Sequence, residues 1–542
     1  MQQSNNRKNP QLVTALLLLI AGAGLLLYLN YIALRYTVIN EFSIENIIIY
    51  DVPFIDSAKN ALAALSVAII TVLCGIILKK SRIQPGMDTR NIILAVSAII
   101  YGLLLIIWIN RLNMGTLRDD TGICYSIALN FKEGNYDAVL SKEGYLYNCP
   151  HQYGIVALNL LFFHISEGYV VEFFHYFNAI LLVAAFITGA LICRRFESHS
   201  GMYLAEPVFI LFTFLNIPIN LYINYMYGDV ASFVSMTAGF YLLLKYNERG
   251  RASAGMAAAL VTGLGVLLRE NTVIFGIAAS IALVLSGILK RRYKDFLIVL
   301  LIILFCTLPL KAFQTYYSVK TGIPASKGIP NSLYIAMGLE ESDLGPGWFN
   351  SYNQRTFMEL DSDYERADAE GKKAILKRLS EFEEKRAVAA DFIERKLISQ
   401  WAEPSYNSIF CCLYSASGDK KFVTWLNKLR RGEYTDILWK YLDAYQSVAY
   451  FGMLVFVLTA IIKLFKEGKS IENPDIICLI PIITLIGGFA FSLIWEAKSR
   501  YVIEYANLMI PLSCVGYAGL SNIYKKNIQR KEKRDDTQTM LA

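Results

Sequence analysis

The sequence predicts an all-α, polytopic membrane protein, and three observations carry that prediction. Hydrophobic residues make up 55% of the 542 positions and charged residues only 18%, a balance outside the range of soluble domains of this length. The apolar residues gather into about twelve runs of about 17 to 25 residues, long enough to cross a hydrocarbon core roughly 30 Å thick as helices. Lysines and arginines recur in the loops on one side of these runs, whereas acidic and mixed-charge motifs recur on the other.

The runs lie at 11–33, 58–78, 91–110, 171–192, 203–219, 229–245, 253–268, 270–289, 295–313, 444–464, 476–495 and 502–520. The first follows Arg7 and Lys8 and exceeds a secretory h-region, so it is expected to be an uncleaved signal anchor. With the N-terminus inside, the inner loops carry Lys79, Lys80, Arg82 and Arg90, then Arg194 and Arg195, then Lys245, Arg249 and Arg251. Lys290, Arg291, Arg292 and Lys294 follow, then Lys463, Lys466 and Lys469, and a tail containing Lys525, Lys526, Arg530, Lys531, Lys533 and Arg534. Both termini are therefore expected in the cytoplasm of a cell membrane. The parity requires that Gln152 to Ile165 not cross, and about fourteen residues suit an interfacial helix better than a span.

Five regions follow: 1–90, a cytoplasmic tail with two additional spans; 91–313, a transmembrane module with a long outer loop at 111–170; and 314–443, an extracytoplasmic insertion. Residues 444–520 are the C-terminal spans and 521–542 a basic cytoplasmic tail. The insertion opens as loop, punctuated by Gly322, Pro324, Gly328, Pro330, Gly345, Pro346 and Gly347. Mixed charges around Ile375, Leu379 and Phe382 then predict an amphipathic helix over 360–400. Nothing in the insertion has nucleophile or metal-ligand spacing, which favours a solvated helical insertion over a separate enzymatic domain. The net charge of +7 is accounted for by cytoplasmic anchoring and implies no nucleic-acid partner. Four histidines disfavour a multi-histidine metal site, and no phosphate-cradling glycine loop is present to fuel a pump. Cys124 and Cys149 share the outer loop and are expected as free thiols, with a bridge as the alternative in an oxidising compartment.

Four polar clusters fall on the outer face. Arg118-Asp119-Asp120 follows the third span, with Tyr125 and the run Tyr145 to Gly154 beyond it. Adjacent carboxylates beside an arginine can supply an ionised base, and an aspartate here equally caps the helix running to Phe131. His151 either donates to a phosphate or satisfies a turn after Pro150. Asp229, in Tyr225-Met226-Tyr227-Gly228-Asp229, opens the sixth span, where the helix dipole alone favours an acid. Arg269-Glu270-Asn271 separates two runs that together would make a helix of about 54 Å, so a tight hairpin is required. Serine or asparagine would serve that turn, which leaves Arg269 and Glu270 for function. Glu496-Ala497-Lys498-Ser499-Arg500-Tyr501, with Glu504 one turn on, places cations inside a nearly continuous apolar stretch and points to an anionic ligand. Carboxylates beside guanidinium groups suit transfer from a lipid-linked phosphate donor, and the 13% aromatic content suits sugar and isoprenoid contact.

The Arg118-Asp119-Asp120 loop, the spacing from Asp120 to Tyr125 and Ala128, and the Pro150-His151-Gln152-Tyr153-Gly154 segment resemble the GT-C superfamily of polyprenyl-phosphate-dependent membrane glycosyltransferases. The likeness is to bacterial members related to protein mannosyltransferases and Gram-positive surface-glycan transferases. Ile335-Ala336-Met337-Gly338-Leu339, with Gly347 and Tyr352 downstream, and Glu496 to Tyr501 extend the resemblance over roughly residues 91 to 515. It implies a GT-C-like helical bundle and an inverting transfer from a polyprenyl-phosphate sugar to a glycan, lipid or protein acceptor. On this chain the base falls to Asp120 or Asp119. Asp120 is preferred because Tyr125 stands at the family-like spacing, with Asp119 positioning the acceptor or a cation. Arg269 and Arg500 would bind the donor phosphate, while His151, Asp229 and Glu270 would shape the pocket. Arg118, Tyr125, Gln152, Tyr153, Lys498 and Tyr501 would join the substrate site through their places in the matching motifs. The family more often has Asp followed by Glu or Gln, so the identity of the base stays open between the two aspartates. Some members use a divalent metal, but two carboxylates beside an arginine do not establish a site. A transporter or flippase of lipid-linked glycans is the alternative, and such proteins hold ionisable groups nearer the bilayer midplane. A noncatalytic scaffold binding a partner through the large outer loop is a third.

Overall fold

Apolar runs of span length fold as helices because every backbone N–H and C=O in hydrocarbon must be bonded within the segment. The computed structural model describes residues 10–40, 45–81, 85–114, 117–166, 168–197, 203–413, 416–467 and 475–539. The basic residues Arg7, Lys8, Arg82 and Lys469 lie outside the described residues. Among the described residues eight helices are long and apolar enough to cross a membrane: Pro10–Arg35, Phe54–Lys80, Met87–Arg111, Val170–Glu197, Glu270–Lys290, Lys294–Thr321, Thr435–Phe465 and Ile476–Ile494. Counting the bent pair Ala205–Leu215 and Ile217–Asn224 as one broken span makes nine. The protein is thus a helical, multi-pass membrane protein.

Four of the twelve expected runs do not meet that standard, each for a local reason. The run at 203–219 breaks at Asn216 into Ala205–Leu215 and Ile217–Asn224, bent by 57°. Asn216 caps the second piece by accepting from the Ile219 amide, and Pro218 stands in its first turn. Ala252–Leu268 has only 17 residues. Asp229–Arg249 and Ile503–Thr539 are long helices that begin with buried acids and carry polar residues inward.

Packing follows residue size. On Phe54–Lys80 the small residues Ala64, Ala68, Thr71 and Gly75 are buried, whereas Leu65, Ile69, Leu73 and Ile77 stay uncovered at four-residue spacing. Small residues let helix backbones approach closely, and a stripe of large apolar side chains suits contact with lipid.

The helices run alternately between two ends of the bundle. One end is tied by ion pairs: Arg90 to Glu197 and Glu206 at 3.0 and 2.8 Å, Arg194 to Glu206 at 2.6 Å, and Lys290 to Asp475 at 3.2 Å. The opposite end carries the two long non-membrane blocks. Strand Leu112–Met114 pairs antiparallel with Ala416–Gly418, so both blocks share one face.

The first block holds helices Asp119–Glu133 and Tyr153–Ile165 with short turns between them. At 13 residues, Tyr153–Ile165 is about 20 Å long, too short to cross. The second block is narrower than expected, because Lys294–Thr321 continues past residue 313 and the helix starting at Thr435 begins before 444. The helix expected over 360–400 is two, Tyr364–Glu384 and Arg386–Trp401, separated at Lys385 (φ −122°, ψ 63°). The expectation of an all-helical chain is also amended by a hairpin, Tyr36–Asn40 with Ile47–Asp51, after the first span. Helix Pro10–Arg35 packs on the helices beginning at Thr435 and Ile480, so the N-terminal addition shares the main core.

Candidate functional site

Two glycines explain how the site assembles. A Cβ on Gly154 would collide with the Leu267 carbonyl oxygen, and one on Gly228 with the Leu268 carbonyl oxygen. The Pro150–Gly154 and Tyr225–Asp229 segments therefore press directly onto the end of Ala252–Leu268, and the chain leaves that helix as Arg269. Gly338 and Gly347 do the same for the insertion. A Cβ on Gly338 would come within 2.6 Å of the Trp495 oxygen, and one on Gly347 within 2.6 Å of the Gly338 oxygen. The Ala497 amide donates to Gly347 O at 2.7 Å, and Tyr334 stacks on Trp495 with ring centroids 5.2 Å apart. Lys396, fully buried, donates to Gly338 O at 2.5 Å and Leu493 O at 3.1 Å, fastening the insertion to the end of the span before Trp495. Burial lowers the Lys396 ammonium to about 7.

At this junction sits a buried charge quartet. Arg269 lies 3.3 Å from Asp229 and 3.4 Å from Glu504, and Arg500 lies 3.7 Å from Asp229. All four side chains are nine-tenths or more buried. These contacts are long, and neither carboxylate oxygen of Asp229 has a hydrogen-bond partner, whereas Glu504 has Ser232 and Arg269 as hydrogen-bonding neighbours. Aromatic faces also hold the guanidinium groups. Arg269 lies over Tyr227 and Tyr501 at 5.0 and 5.2 Å, and Arg500 over Tyr225 and Tyr227 at 5.2 Å each. Arg500 also donates to the Tyr225 hydroxyl, and Gln152 to the Tyr227 hydroxyl.

Three carboxylates border the quartet. Asp120 accepts from the Tyr145 hydroxyl at 2.8 Å. Glu45, from the loop of the N-terminal hairpin, pairs with Lys498 at 3.3 Å. Burial opposes the Glu45 charge, but Lys498 outweighs it and holds this carboxyl below its usual range. Glu496 is buried with no ion pair among the described residues; burial pushes it up to about 7, with Asp120 adding to the rise and Lys498 and Arg500 opposing it.

The two aspartates separate cleanly. Asp119 occupies the left-handed region (φ 49°), a costly conformation for a non-glycine residue, and its exposed carboxylate turns to Arg118 at 2.7 Å. Asp120, one residue on, points to Tyr145. Arg118 itself lies over the Phe410 ring at 4.1 Å.

Arg269, Arg500, Asp229, Gln152, Tyr501 and Lys498 therefore meet as the sequence suggests, with Asp120 at their edge. His151 and Glu270 face each other across 4.0 Å at the surface. Tyr125 packs on Phe163 and Tyr153 stacks on Tyr317, with ring centroids 5.0 and 5.7 Å apart, so these two build the walls of the loop. Cys124 and Cys149 are buried free thiols. Sequence reasoning assigned no role to Glu45, Tyr145, Tyr225 or Tyr227. The alternating tyrosines before Gly228 were the available signal for the last two, and Glu45 had none.

Among the described residues no group of three or more His, Cys, Asp or Glu side chains could hold a metal ion. The Asp119 carboxylate turns to Arg118 and the Asp120 carboxylate to Tyr145. No known family model matches the sequence, and no curated protein or solved structure is detectably similar to it.

Proposed function

We propose that the protein is a membrane glycosyltransferase that moves a sugar from a polyprenyl-phosphate donor to a glycan, lipid or protein acceptor. In this proposal it has a GT-C-like architecture of twelve spans, both termini in the cytoplasm of a bacterial cell membrane, and its site on the extracytoplasmic face. The observation that carries the reading is the convergence of a hydrogen-bonded carboxylate, Asp120, and two arginines, Arg269 and Arg500, buried among tyrosine faces in one polar cluster.

In the reaction, Asp120 takes the proton from an acceptor hydroxyl while the hydroxyl oxygen bonds to the anomeric carbon from the face opposite the phosphate. The bond from the anomeric carbon to the phosphate oxygen breaks, its electron pair stays on polyprenyl phosphate, and the configuration inverts. Tyr145 holds one Asp120 oxygen and leaves the other for the proton. Arg269 and Arg500 face the charge developing on the departing phosphate. Asp229 and Glu504 already balance those arginines on one side, so donor binding uses the guanidinium edges turned away from the two acids. Glu496 is neutral below about pH 7 and adds no repulsion toward phosphate there.

The broken helix at Asn216 favours a second reading, a flippase or transporter of lipid-linked glycans, because interrupted helices commonly line transport sites. Vesicles containing the purified protein and a panel of polyprenyl-phosphate sugars separate the two. Sugar transfer with release of polyprenyl phosphate supports the transferase, whereas movement of intact lipid-linked sugar between leaflets supports transport.

A further inference from the structure

We infer that the helix Lys420–Arg431 is a binding site for the anionic headgroups of bilayer glycerophospholipids, distinct from the buried site and independent of its proposed chemistry. The helix has 12 residues, five of them cationic and none acidic. Lys420, Lys421, Lys428 and Arg431 fall within one side at helical spacing, and Thr424 lies among them. Phe422, Leu426 and Leu429 occupy the opposite side, with Leu426 buried. A short helix with a cationic face and an aromatic and leucine face is the form that lies in a membrane interface.

Its level in the molecule matches. Asp419, the residue that caps this helix, pairs at 2.8 Å with Arg111, the last residue of span Met87–Arg111. Phe422 packs edge-on against Trp108 of the same span with ring centroids 5.4 Å apart. At the other end the chain turns at Gly432 and enters the span that begins at Thr435. The helix is therefore held between the ends of two spans, where headgroups lie. Trp425 stacks on Phe422 yet remains 46% exposed beside the cationic face, and Tyr434 is 38% exposed. Exposed Trp and Tyr at the ends of spans mark the headgroup layer.

Charge complementarity selects the headgroup. Lys420 and Lys421 are exposed, and Lys428 is exposed with surface contacts to Glu433 at 3.3 Å and the Tyr434 ring at 5.9 Å. Three ammonium groups on one helix face suit phosphate esters carrying net negative charge, such as phosphatidylglycerol, better than zwitterionic phosphatidylcholine.

The full-length protein is reconstituted into nanodiscs containing brominated phosphatidylglycerol or brominated phosphatidylcholine in an unlabelled phosphatidylcholine background. The Trp425 contribution is taken as the difference between wild type and Trp425→Phe. Stronger quenching by brominated phosphatidylglycerol is expected. Combining Lys420→Gln, Lys421→Gln and Lys428→Gln abolishes that preference while quenching by phosphatidylcholine persists, with selectivity falling about fivefold per neutralised cation. Equal quenching of wild type by the two lipids overturns the proposal, leaving an interfacial helix without headgroup recognition. Absence of quenching by either lipid also overturns it, because the helix then faces water or protein. A preference that survives the triple substitution places recognition elsewhere and overturns it as well. Loss of sugar transfer with the lipid preference intact counts against the proposed enzyme function alone.

Discussion

Asp229→Asn tests what the buried quartet is for. Asp229 is the one acid that faces both arginines, at 3.3 and 3.7 Å. At an effective dielectric of about 20, these separations correspond to gross attractions of roughly 4 to 5 kcal/mol each. Much of that is offset by the desolvation of three buried charges, and removing one partner from such an arrangement typically costs about 3 to 5 kcal/mol. Glu504 continues to balance Arg269, so the uncompensated charge falls mainly on Arg500. A structural quartet predicts destabilisation and nothing else. A phosphate site predicts a second effect: an anion supplies the missing charge, so polyprenyl phosphate binds the variant about ten-fold or more tightly than wild type, which equals roughly 1.4 kcal/mol. The assay is thermal unfolding of purified protein with and without polyprenyl phosphate, using polyprenol as the uncharged control. A lower unfolding temperature that polyprenyl phosphate restores and polyprenol does not is the expected result. Destabilisation with equal, small responses to both lipids would refute the assignment of Arg269 and Arg500 to phosphate.

Three further outcomes follow from the same geometry. Glu496 gains a proton on folding between its ordinary value near 4.5 and about 7, so its contribution to stability is fully present below pH 4.5 and is lost as pH rises through 7. The donor KM should rise over the upper part of that window, and Glu496→Gln should flatten both profiles. Lys396 has the opposite sign. Its folded value of about 7 lies below the ordinary 10.5, so stability should increase between those pH values, and Lys396→Met should remove the slope while loosening the Trp495 loop. Gly228→Ala places a methyl group against Leu268 O and 2.9 Å from Arg269 Cβ, with an expected cost of about 1 to 3 kcal/mol in chemical denaturation, whereas Gly86→Ala meets no neighbouring atom and should leave stability and the site intact.

What the sequence made legible was local. Span length and the turn at Arg269 each depend on residues within about one helix length, and the structure has helices of span length at eight of the twelve runs and a turn at Arg269. The 57° break within the run at 203–219 was not legible, because its hydropathy is continuous while Asn216 and Pro218 set the backbone. The ends of Lys294–Thr321 and Thr435–Glu467 were clipped because those helices outlast their apolar stretches. Arg269, Asp229 and Arg500 could be nominated since charge is conspicuous in apolar surroundings, yet their mutual contacts required the tertiary fold. Glu45 was illegible for that reason, as its partner Lys498 lies 453 residues away. That the two adjacent aspartates part company was not legible, for it takes the left-handed turn at Asp119 to send their carboxylates to different partners.

The most direct test of the central claim compares turnover and donor binding in wild type, Asp120→Asn and Asp119→Asn. Release of polyprenyl phosphate from a panel of polyprenyl-phosphate sugars is followed with membrane extract as the acceptor source. Loss of a positioned general base predicts a fall in kcat of about 10² to 10⁴ for Asp120→Asn with donor affinity retained, and a far smaller change for Asp119→Asn. Full turnover in Asp120→Asn, or no release from any donor by folded wild-type protein beside an active control enzyme, contradicts the account.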